Sequence, residues 1–323
     1  MINEEVFPEL LNCSACFLDL ILQDTDIYVC ASCKQKWVMN GAILTLENKL
    51  HYSSSFGLQW NKFEKTQLDS YQGQGRSKQR LLEESGWEPE LIKNKLVLDA
   101  GCGAGRFSEV VLELGGKVVS VDASSAVYSA RRNLDFRNSF IIQSDLVCTP
   151  LKSSTFDFIF CIGVLQHTES PKDIVRELLR LLAPNGEIIF TFYENKGWRT
   201  RLYSKYLVRP LTRRVAPERL LRLIEKSSLF WFPVTHKLFS LPMGMGRLFS
   251  YLLPIANYVG NTYWSKNHAR EEAILDTFDM LSPRFDRPIK KSQLRDWVRD
   301  SGYTVSELPV SPKFGTLKFK KVV

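Results

Sequence analysis

The feature that most constrains the fold is a short apolar run that leads into three glycines spaced two residues apart. Residues 97–100 form the run, and Gly101, Gly103 and Gly105 follow it. Glycine lets the backbone turn sharply and approach a ligand that a side chain would exclude. Residues 106–114 then predict a helix whose N-terminus faces the same crevice. The dinucleotide pattern Gly-x-Gly-x-x-Gly needs a glycine where this chain has Arg106, so the sequence departs from that pattern.

More apolar runs follow, each ending in a turn or an acid. They predict four further strands and an amphipathic helix, at residues 117–121, 140–144, 156–161 and 187–193 for the strands and 171–182 for the helix. Asp122 ends the first of these strands, about 20 residues beyond the glycines, where a carboxylate can bind both hydroxyls of a ribose. Asp145 ends the next one. Because ligands of open parallel sheets bind at the carboxyl ends of strands, these acids predict a nucleoside ligand there.

An acid followed by Gly-x-Gly-x-Gly, then acids at two further strand ends, resembles the class I S-adenosylmethionine-dependent methyltransferases of the type 11-like group. The resemblance covers about residues 11–193 and 275–323. It implies an α/β fold with a Rossmann-like sheet of seven strands, whose last two are an antiparallel pair at 303–310 and 316–322. It also implies that S-adenosylmethionine is the cofactor, with an acid and an apolar residue at the adenine. The cofactor-binding residues expected from it are Asp99, Gly101, Gly103, Gly105, Asp122, Asp145, Leu146 and Cys161.

Four cysteines near the N-terminus predict a metal site. Cys13 with Cys16, and Cys30 with Cys33, form two Cys-x2-Cys pairs that thirteen residues separate. Each pair presents two thiolates, and four thiolates close a tetrahedral zinc site without an open position, which favours a structural role. Residues 11–46 resemble the zinc ribbon that precedes some bacterial methyltransferase domains. Four free thiols or two disulfides are the alternatives.

The remaining segments predict that the chain is divided into four parts. Residues 49–94 resemble a leading segment that folds over the cofactor in a bacterial subgroup, which makes Gln59 and Trp60 candidate wall residues and Arg80 a candidate for the methionine carboxylate. Packing on the sheet is the alternative for the tryptophan. The expected parts are a zinc ribbon (1–48), this helical segment (49–94), the methyltransferase domain (95–193 and 269–323) and a basic helical insertion that caps the substrate (194–268).

The insertion carries the charge excess of the whole chain. Between residues 196 and 226 there are ten Lys or Arg against two Glu, a balance of +8, which equals the net charge of the full sequence. A basic segment beside an aliphatic and aromatic one fits peripheral contact with an anionic membrane or a phosphorylated, lipid-linked substrate. A helical lid with a solvated basic face is the alternative. Nucleic acid is disfavoured because no stacking platform is visible, and prolines and polar residues interrupt the apolar stretch at 248–263, so no transmembrane span is expected.

Methyl transfer from a sulfonium is an in-line displacement, so the protein mainly aligns the acceptor with the methyl carbon. A hydroxyl acceptor also needs a base, and His167, just past the fourth strand, can supply one. The alternative is that His167 only hydrogen-bonds a loop or caps the next helix. Asp276, Asp279 and Arg284 lie in a stretch that returns to the core and are candidates for the substrate pocket, with Asp279 the one taken as catalytic.

The sequence thus predicts a methyltransferase that acts on a small molecule or a glycan, with oxygen as the favoured acceptor atom. An RNA methyltransferase and a non-catalytic module that binds the cofactor or a partner are the rivals. Residues 1–11 carry three acids and no basic leader, so a cytoplasmic location is expected, with membrane association as a further option. In such a reducing compartment the other cysteines are expected to be buried small residues and not nucleophiles; these are Cys102, Cys148 and Cys161.

Overall fold

A computed structural model describes residues 7–47, 54–135, 137–260, 264–310 and 315–322. The expected boundary between ribbon and helical segment (48/49) and the end of the apolar stretch (261–263) lie outside these residues. The described strands are β1 (Leu20–Asp24), β2 (Ile27–Cys30), β3 (Lys36–Asn40), β4 (Ile43–Leu46), β5 (Leu96–Ala100), β6 (Lys117–Asp122), β7 (Ser139–Gln143), β8 (Phe156–Ile162), β9 (Leu182–Thr191), β10 (Val305–Leu308) and β11 (Thr316–Lys321).

Thirteen α-helices accompany these strands in the described part of the chain. They are α1 (Ser54–Lys62), α2 (Asp69–Gln72), α3 (Arg76–Ser85), α4 (Pro89–Ile92), α5 (Arg106–Glu113), α6 (Val127–Asn133), α7 (Pro171–Leu181), α8 (Trp198–Arg201), α9 (Ser204–Thr212), α10 (Pro217–Phe239), α11 (Met245–Leu252), α12 (Lys266–Leu281) and α13 (Lys291–Arg299). None of them is both long enough and apolar enough to cross a bilayer.

The predicted seven-stranded α/β sheet is confirmed. Its order is β7-β6-β5-β8-β9-β11-β10, with β5 to β9 parallel and the last two strands antiparallel. The central strands are rich in Val, Ile and Phe because both faces are covered. Apolar residues of α3 and α5 cover one face, and those of α7 and α13 cover the other. This layering brings the ends of β5, β6 and β8 together at one rim.

The ribbon is continuous with this sheet. Strands β1 to β4 form an antiparallel meander, and β4 pairs in parallel with β7 through Ile43↔Ile141 and Leu44↔Ile142, which extends the sheet to 11 strands. Ile43 and Leu44 are almost fully buried at this junction. The pairing covers the edge of β7, which would otherwise expose unpaired backbone groups.

The insertion forms helices α8 to α11 and packs against α12. A second hydrophobic core joins α10 to α12 and to the end of α1, with Leu221, Trp231, Phe278 and Phe63 among its members. Helix α12 begins at Lys266 and runs without a break across the boundary expected at 268/269. Its apolar face packs against the insertion, and the division at 268/269 stays a prediction.

Candidate active site

A cavity of about 1680 Å³ opens at the carboxyl ends of β5, β6 and β8. Its walls come from the turns after β5, β6, β7 and β8, from the leading helices α1 and α3, and from the insertion with α12. This is the position where ligands bind in open parallel sheets. The volume exceeds that of a typical small-ligand pocket, roughly 300–1,000 Å³, so it has room for a nucleoside and a second molecule.

Backbone conformation explains the glycines of the turn. Gly101, Gly103 and Gly105 all have left-handed φ values, 92°, 53° and 89°, which side-chain-bearing residues rarely adopt. A Cβ on Gly101 would lie 2.3 Å from Val164, and one on Gly103 would lie 3.0 Å from the Trp60 indole nitrogen. Gly101 and Gly103 therefore form a cradle that any side chain would fill. Gly105 faces Leu134 and does not line the cavity.

Asp122 connects the turn to the next strand end. Its carboxylate accepts hydrogen bonds from the Gly103 N–H at 2.9 Å and from the Ser124 N–H and hydroxyl at 2.8 and 2.6 Å. The residue lines the cavity, as do Asp145 and Leu146 beyond β7. The structure thus brings the two expected acids and the expected apolar residue to one wall.

Two other expected cofactor residues lie away from that wall. Asp99 is only 2% exposed and accepts a hydrogen bond from the Ser108 hydroxyl at 2.6 Å, and burial raises its pKa to about 7. Cys161 is fully buried, and burial raises the pKa of its thiol. Neither side chain lines the cavity, and their contact with the cofactor stays a prediction. Asp99 joins β5 to α5.

Three arginines line the wall formed by α3 and the start of α5. Arg80 is paired with Glu84 at 2.7 Å, and Arg76 lies 4.3 Å from the centroid of the Trp264 ring. Arg106 donates to the Ser77 hydroxyl and the Gln67 amide oxygen at 2.9 and 2.8 Å. Burial, and then the charge of Arg80, lower the pKa of Arg106 to about 10. Of the three, the sequence suggested only Arg80, although the position of Arg106 directly after the third glycine was a usable signal.

Another part of the cavity wall groups an imidazole, a phenol and two carboxyls. Asp279 accepts long hydrogen bonds from the Tyr193 hydroxyl (3.3 Å) and the Gln59 amide nitrogen (3.5 Å). The His167 ring packs edge-on against Tyr193, with ring centroids 5.5 Å apart. His167 Nδ1 lies 2.9 Å from the Phe285 carbonyl oxygen. A carbonyl can only accept, so the proton of the neutral ring is on Nδ1, and Nε2 is its free acceptor.

Burial controls ionisation on this wall. It raises the pKa of Tyr193 well above the ordinary value, with a further contribution from the Asp279 charge. Tyr193 is 36% exposed, but that surface faces the cavity. Burial, and then Asp279, raise the pKa of Asp276 to about 7. Tyr193 therefore stays a hydrogen-bond donor at neutral pH, and Asp276 can carry a proton there.

A buried lysine supports this wall. Lys205 pairs with Asp286 at 2.9 Å and lies 4.3 Å from the centroid of the Tyr193 ring. Sequence reasoning missed Lys205, Asp286 and Tyr193, because the insertion brings them together over a long separation along the chain.

Two buried side-chain atoms of cavity-lining residues have no partner among the described residues, the Gln59 amide oxygen and the Ser282 hydroxyl. Gln59 is 1% exposed, and its amide oxygen accepts no hydrogen bond. A buried acceptor without a donor costs about 1–3 kcal/mol unless a ligand supplies one. Together with the glycine cradle, this atom fits a bound nucleoside-type ligand that carries donors.

The four ribbon cysteines converge as predicted. The sulfur atoms of Cys13, Cys16, Cys30 and Cys33 all lie within 4.8 Å of one another, and those of Cys13 and Cys33 are 3.5 Å apart. Zn–S bonds of about 2.3 Å in a tetrahedron place sulfurs about 3.8 Å apart, so the cluster fits a zinc ion. Cys148, which the sequence predicts to be a buried small residue, is instead exposed because it lies in the loop after β7, and its thiol donates to the Ser14 carbonyl oxygen beside this cluster at 2.7 Å.

Part of the chain is similar to known methyltransferases. Residues 98–190 match the family model described as "Methyltransferase domain". A ubiquinone biosynthesis O-methyltransferase of Schizosaccharomyces pombe is 31% identical over 109 residues (32% of this chain, 40% of that protein), and a malonyl-[acyl-carrier protein] O-methyltransferase of Enterobacter lignolyticus is 35% identical over 95 residues (29% and 38%). The chain spans less than half the length of these relatives. A methyltransferase structure from Aquifex aeolicus aligns over 81% of this chain and 98% of its own, with 14% identity and a TM-score of 0.42.

Proposed function

We propose that this chain, whose residues 98–190 belong to the class I methyltransferase domain family, transfers a methyl group from S-adenosylmethionine to an oxygen atom of a small molecule or glycan. The observation that carries the proposal is the shared cavity, which is lined by the glycine cradle, by the carboxylates of Asp122 and Asp145, and by an imidazole, a phenol and two further carboxyls that can hold or move a proton. When bound, S-adenosylmethionine supplies an electrophilic methyl group on a sulfonium.

The part of the cavity wall with the glycine cradle suits the nucleoside and the amino acid of the donor. The carboxylates of Asp122 and Asp145 can accept hydrogen bonds from ribose and adenine donors. Gly101 and Gly103 have no side chain, so a ligand can come close to the backbone of the turn. The three arginines at Arg76, Arg80 and Arg106 suit a carboxylate, which guanidinium groups bind through paired hydrogen bonds. The free amide oxygen of Gln59 suits an ammonium or hydroxyl donor.

The part of the cavity wall with the imidazole and the phenol suits a hydroxyl acceptor. The Nε2 atom of His167 can accept the proton that a hydroxyl loses on methylation, because the hydrogen bond to Phe285 keeps the other ring nitrogen protonated. Tyr193 and Asp279 would hold the acceptor in place. The names of the matched relatives from Schizosaccharomyces pombe and Enterobacter lignolyticus support oxygen as the acceptor atom.

The acceptor class can be tested with S-adenosylmethionine that carries a radioactive methyl group. A cell extract is separated into a small-molecule fraction and an RNA fraction, and each is offered to the protein. We expect label in the small-molecule fraction, and we expect hot hydriodic acid to release it as volatile methyl iodide, as it does from O-methyl groups. Label in RNA would contradict the proposed acceptor, and label that resists the acid would contradict oxygen.

The proposed base has its own test in the same assay. His167→Gln keeps a side chain that can donate to the Phe285 carbonyl but removes the basic nitrogen, so the transfer rate should fall by roughly 10²–10⁴, while affinity for S-adenosylmethionine stays unchanged. His236→Gln is the matched control, because His236 lies on α10 outside the cavity. Equal rates for the two variants would remove His167 from the reaction.

A further inference from the structure

The insertion exposes an unusual amount of apolar surface. Helices α9, α10 and α11 each present large apolar side chains to solvent, with exposed fractions between 55% and 77%. We call this surface the insertion face; its main apolar members are Leu207, Leu211, Leu223, Leu229, Phe230 and Leu248. Single exposed apolar residues are common, but a set of this size within one segment usually marks a contact surface.

Helix α10 shows how this face is built. Its buried side holds Leu221, Ile224 and Trp231 against α12. Its solvent side carries a stripe at spacings of three or four residues, in which cations and apolar residues alternate. The stripe consists of Arg219, Arg222, Leu223, Lys226, Leu229, Phe230, Val234 and Lys237. The apolar part of the stripe is therefore not needed for packing within the described structure.

Charge identifies the kind of partner. Of the ten cations between residues 196 and 226, eight are exposed, whereas Lys205 and Arg209 are buried beside Asp286. Of the two acids of the segment, Glu225 pairs with Lys62 of α1, which leaves Glu218, exposed in the first turn of α10, against eight exposed cations. A second copy of this chain would present the same positive face and would be repelled. The partner must be anionic and must also accept aliphatic side chains.

We propose that the insertion face docks on the surface of an anionic lipid bilayer. Leu229 and Phe230 would enter the boundary between head groups and acyl chains, while Arg219, Arg222 and Lys226 would contact lipid phosphates. A nucleic acid would satisfy the cations but would leave the leucines exposed. The inference does not depend on methyl transfer. If the proposed function also holds, docking places the cavity mouth at the membrane, because Arg213 and Val215 of the same segment line the cavity.

Vesicle co-sedimentation with the full chain tests this docking. One set of vesicles is phosphatidylcholine alone, and a second set contains phosphatidylglycerol as well. We expect binding to the second set, falling steeply as salt is added, and little binding to the first. Equal binding to both sets, or no binding to either, would overturn the proposal. A dimer that Phe230→Ser dissociates, in the absence of vesicle binding, would assign the face to a second copy instead.

Matched variants locate the contact. Leu229→Ser should weaken vesicle binding roughly tenfold, and Lys226→Gln should weaken it about fivefold. The controls are Leu91→Ser and Lys93→Gln, exposed residues of and next to α4, at the amino end of the sheet. Binding that these two controls reduce as much as the insertion variants do would overturn the assignment. Affinity for S-adenosylmethionine should be the same in all four variants, which separates a failure here from a failure of the proposed function.

Discussion

Single residues decide where a ligand can approach the backbone of this protein. Gly103 and Gly41 have nearly the same left-handed φ, 53° and 55°, but only Gly103 lies close to other atoms, those of the Trp60 indole. A side chain at either position would be strained by the same backbone conformation. Only at Gly103 would it also contact neighbouring atoms. The two glycines therefore form a matched pair for testing the cradle.

We predict that Gly103→Ala weakens binding of S-adenosylmethionine at least tenfold, because the new methyl group must displace Trp60 or the turn, at a cost of about 1–3 kcal/mol. Gly41→Ala should leave the affinity unchanged. Both variants should lose about 1 kcal/mol of stability from the left-handed φ, and Gly103→Ala should lose about 1–3 kcal/mol more from the contact with Trp60. Isothermal titration and thermal unfolding measure the two effects. Equal affinities in the two variants would show that the turn does not contact the donor.

Asp276 gives a second prediction at this scale. Its pKa is raised from 3.8 to about 7 in the folded protein. At pH values between these two, the Asp276 carboxyl is ionised in the unfolded chain and protonated in the folded chain. The free energy of unfolding therefore falls as pH rises through this range. Asp276→Asn removes the penalty and should raise stability at pH above about 7 by on the order of 1–2 kcal/mol, with no gain near pH 4. Thermal unfolding at both pH values checks this; the same shift at both would contradict it.

At the scale of elements, the ribbon holds the loop that carries Asp145 and Leu146. The N–H of Asn12 donates to the Pro150 carbonyl at 3.0 Å, and the N–H of Lys152 donates to the Leu10 carbonyl at 2.9 Å. The Cys148 thiol donates to the Ser14 carbonyl in the first cysteine turn. A change in the cysteine cluster would thus reach one wall of the cavity through backbone contacts.

We predict that removing the metal with a chelator lowers the unfolding temperature and weakens S-adenosylmethionine binding several-fold, because the loop after β7 loses its support. Cys33→Ser should do the same, and Thr25→Ala in the turn between β1 and β2 should not. Elemental analysis should find one zinc per chain. Well under one zinc per chain, or unchanged binding after chelation, would contradict the prediction.

Much of the element order could be predicted from sequence, because the parallel strands are buried on both faces and appear as apolar runs. Strand β9 shows a limit. It begins at Leu182, five residues before the predicted start, and a bulge with Asn185 at a φ of 62° absorbs the expected turn. Sequence reasoning also missed the parallel pairing of β4 with β7, because pairing between distant strands leaves no local sequence pattern.

At the scale of the whole molecule, the cavity belongs to no single part of the chain. The sheet supplies the glycine turn, the leading segment supplies Gln59 and Arg80, and the insertion with α12 supplies Lys205 and Asp279. The family motif could predict the first group, because its residues are near one another in sequence. The contacts of Asp279 with Gln59 and Tyr193 span 220 and 86 residues. Sequence reasoning could name Asp279 as a candidate but could not find these partners.

The central claim is that the glycine turn and Asp122 hold S-adenosylmethionine at the rim of the sheet, and isothermal titration tests it most directly. Titration of the wild-type protein with S-adenosylmethionine should give a measurable heat of binding. Asp122→Ala should lose most of the affinity, because ribose hydroxyls would be left without their acceptor and the Gly103 N–H without its partner. Asp173→Ala, an exposed acid in the first turn of α7, is the control and should bind like the wild type. No binding by the wild type, or equal affinity after Asp122→Ala, would contradict the account.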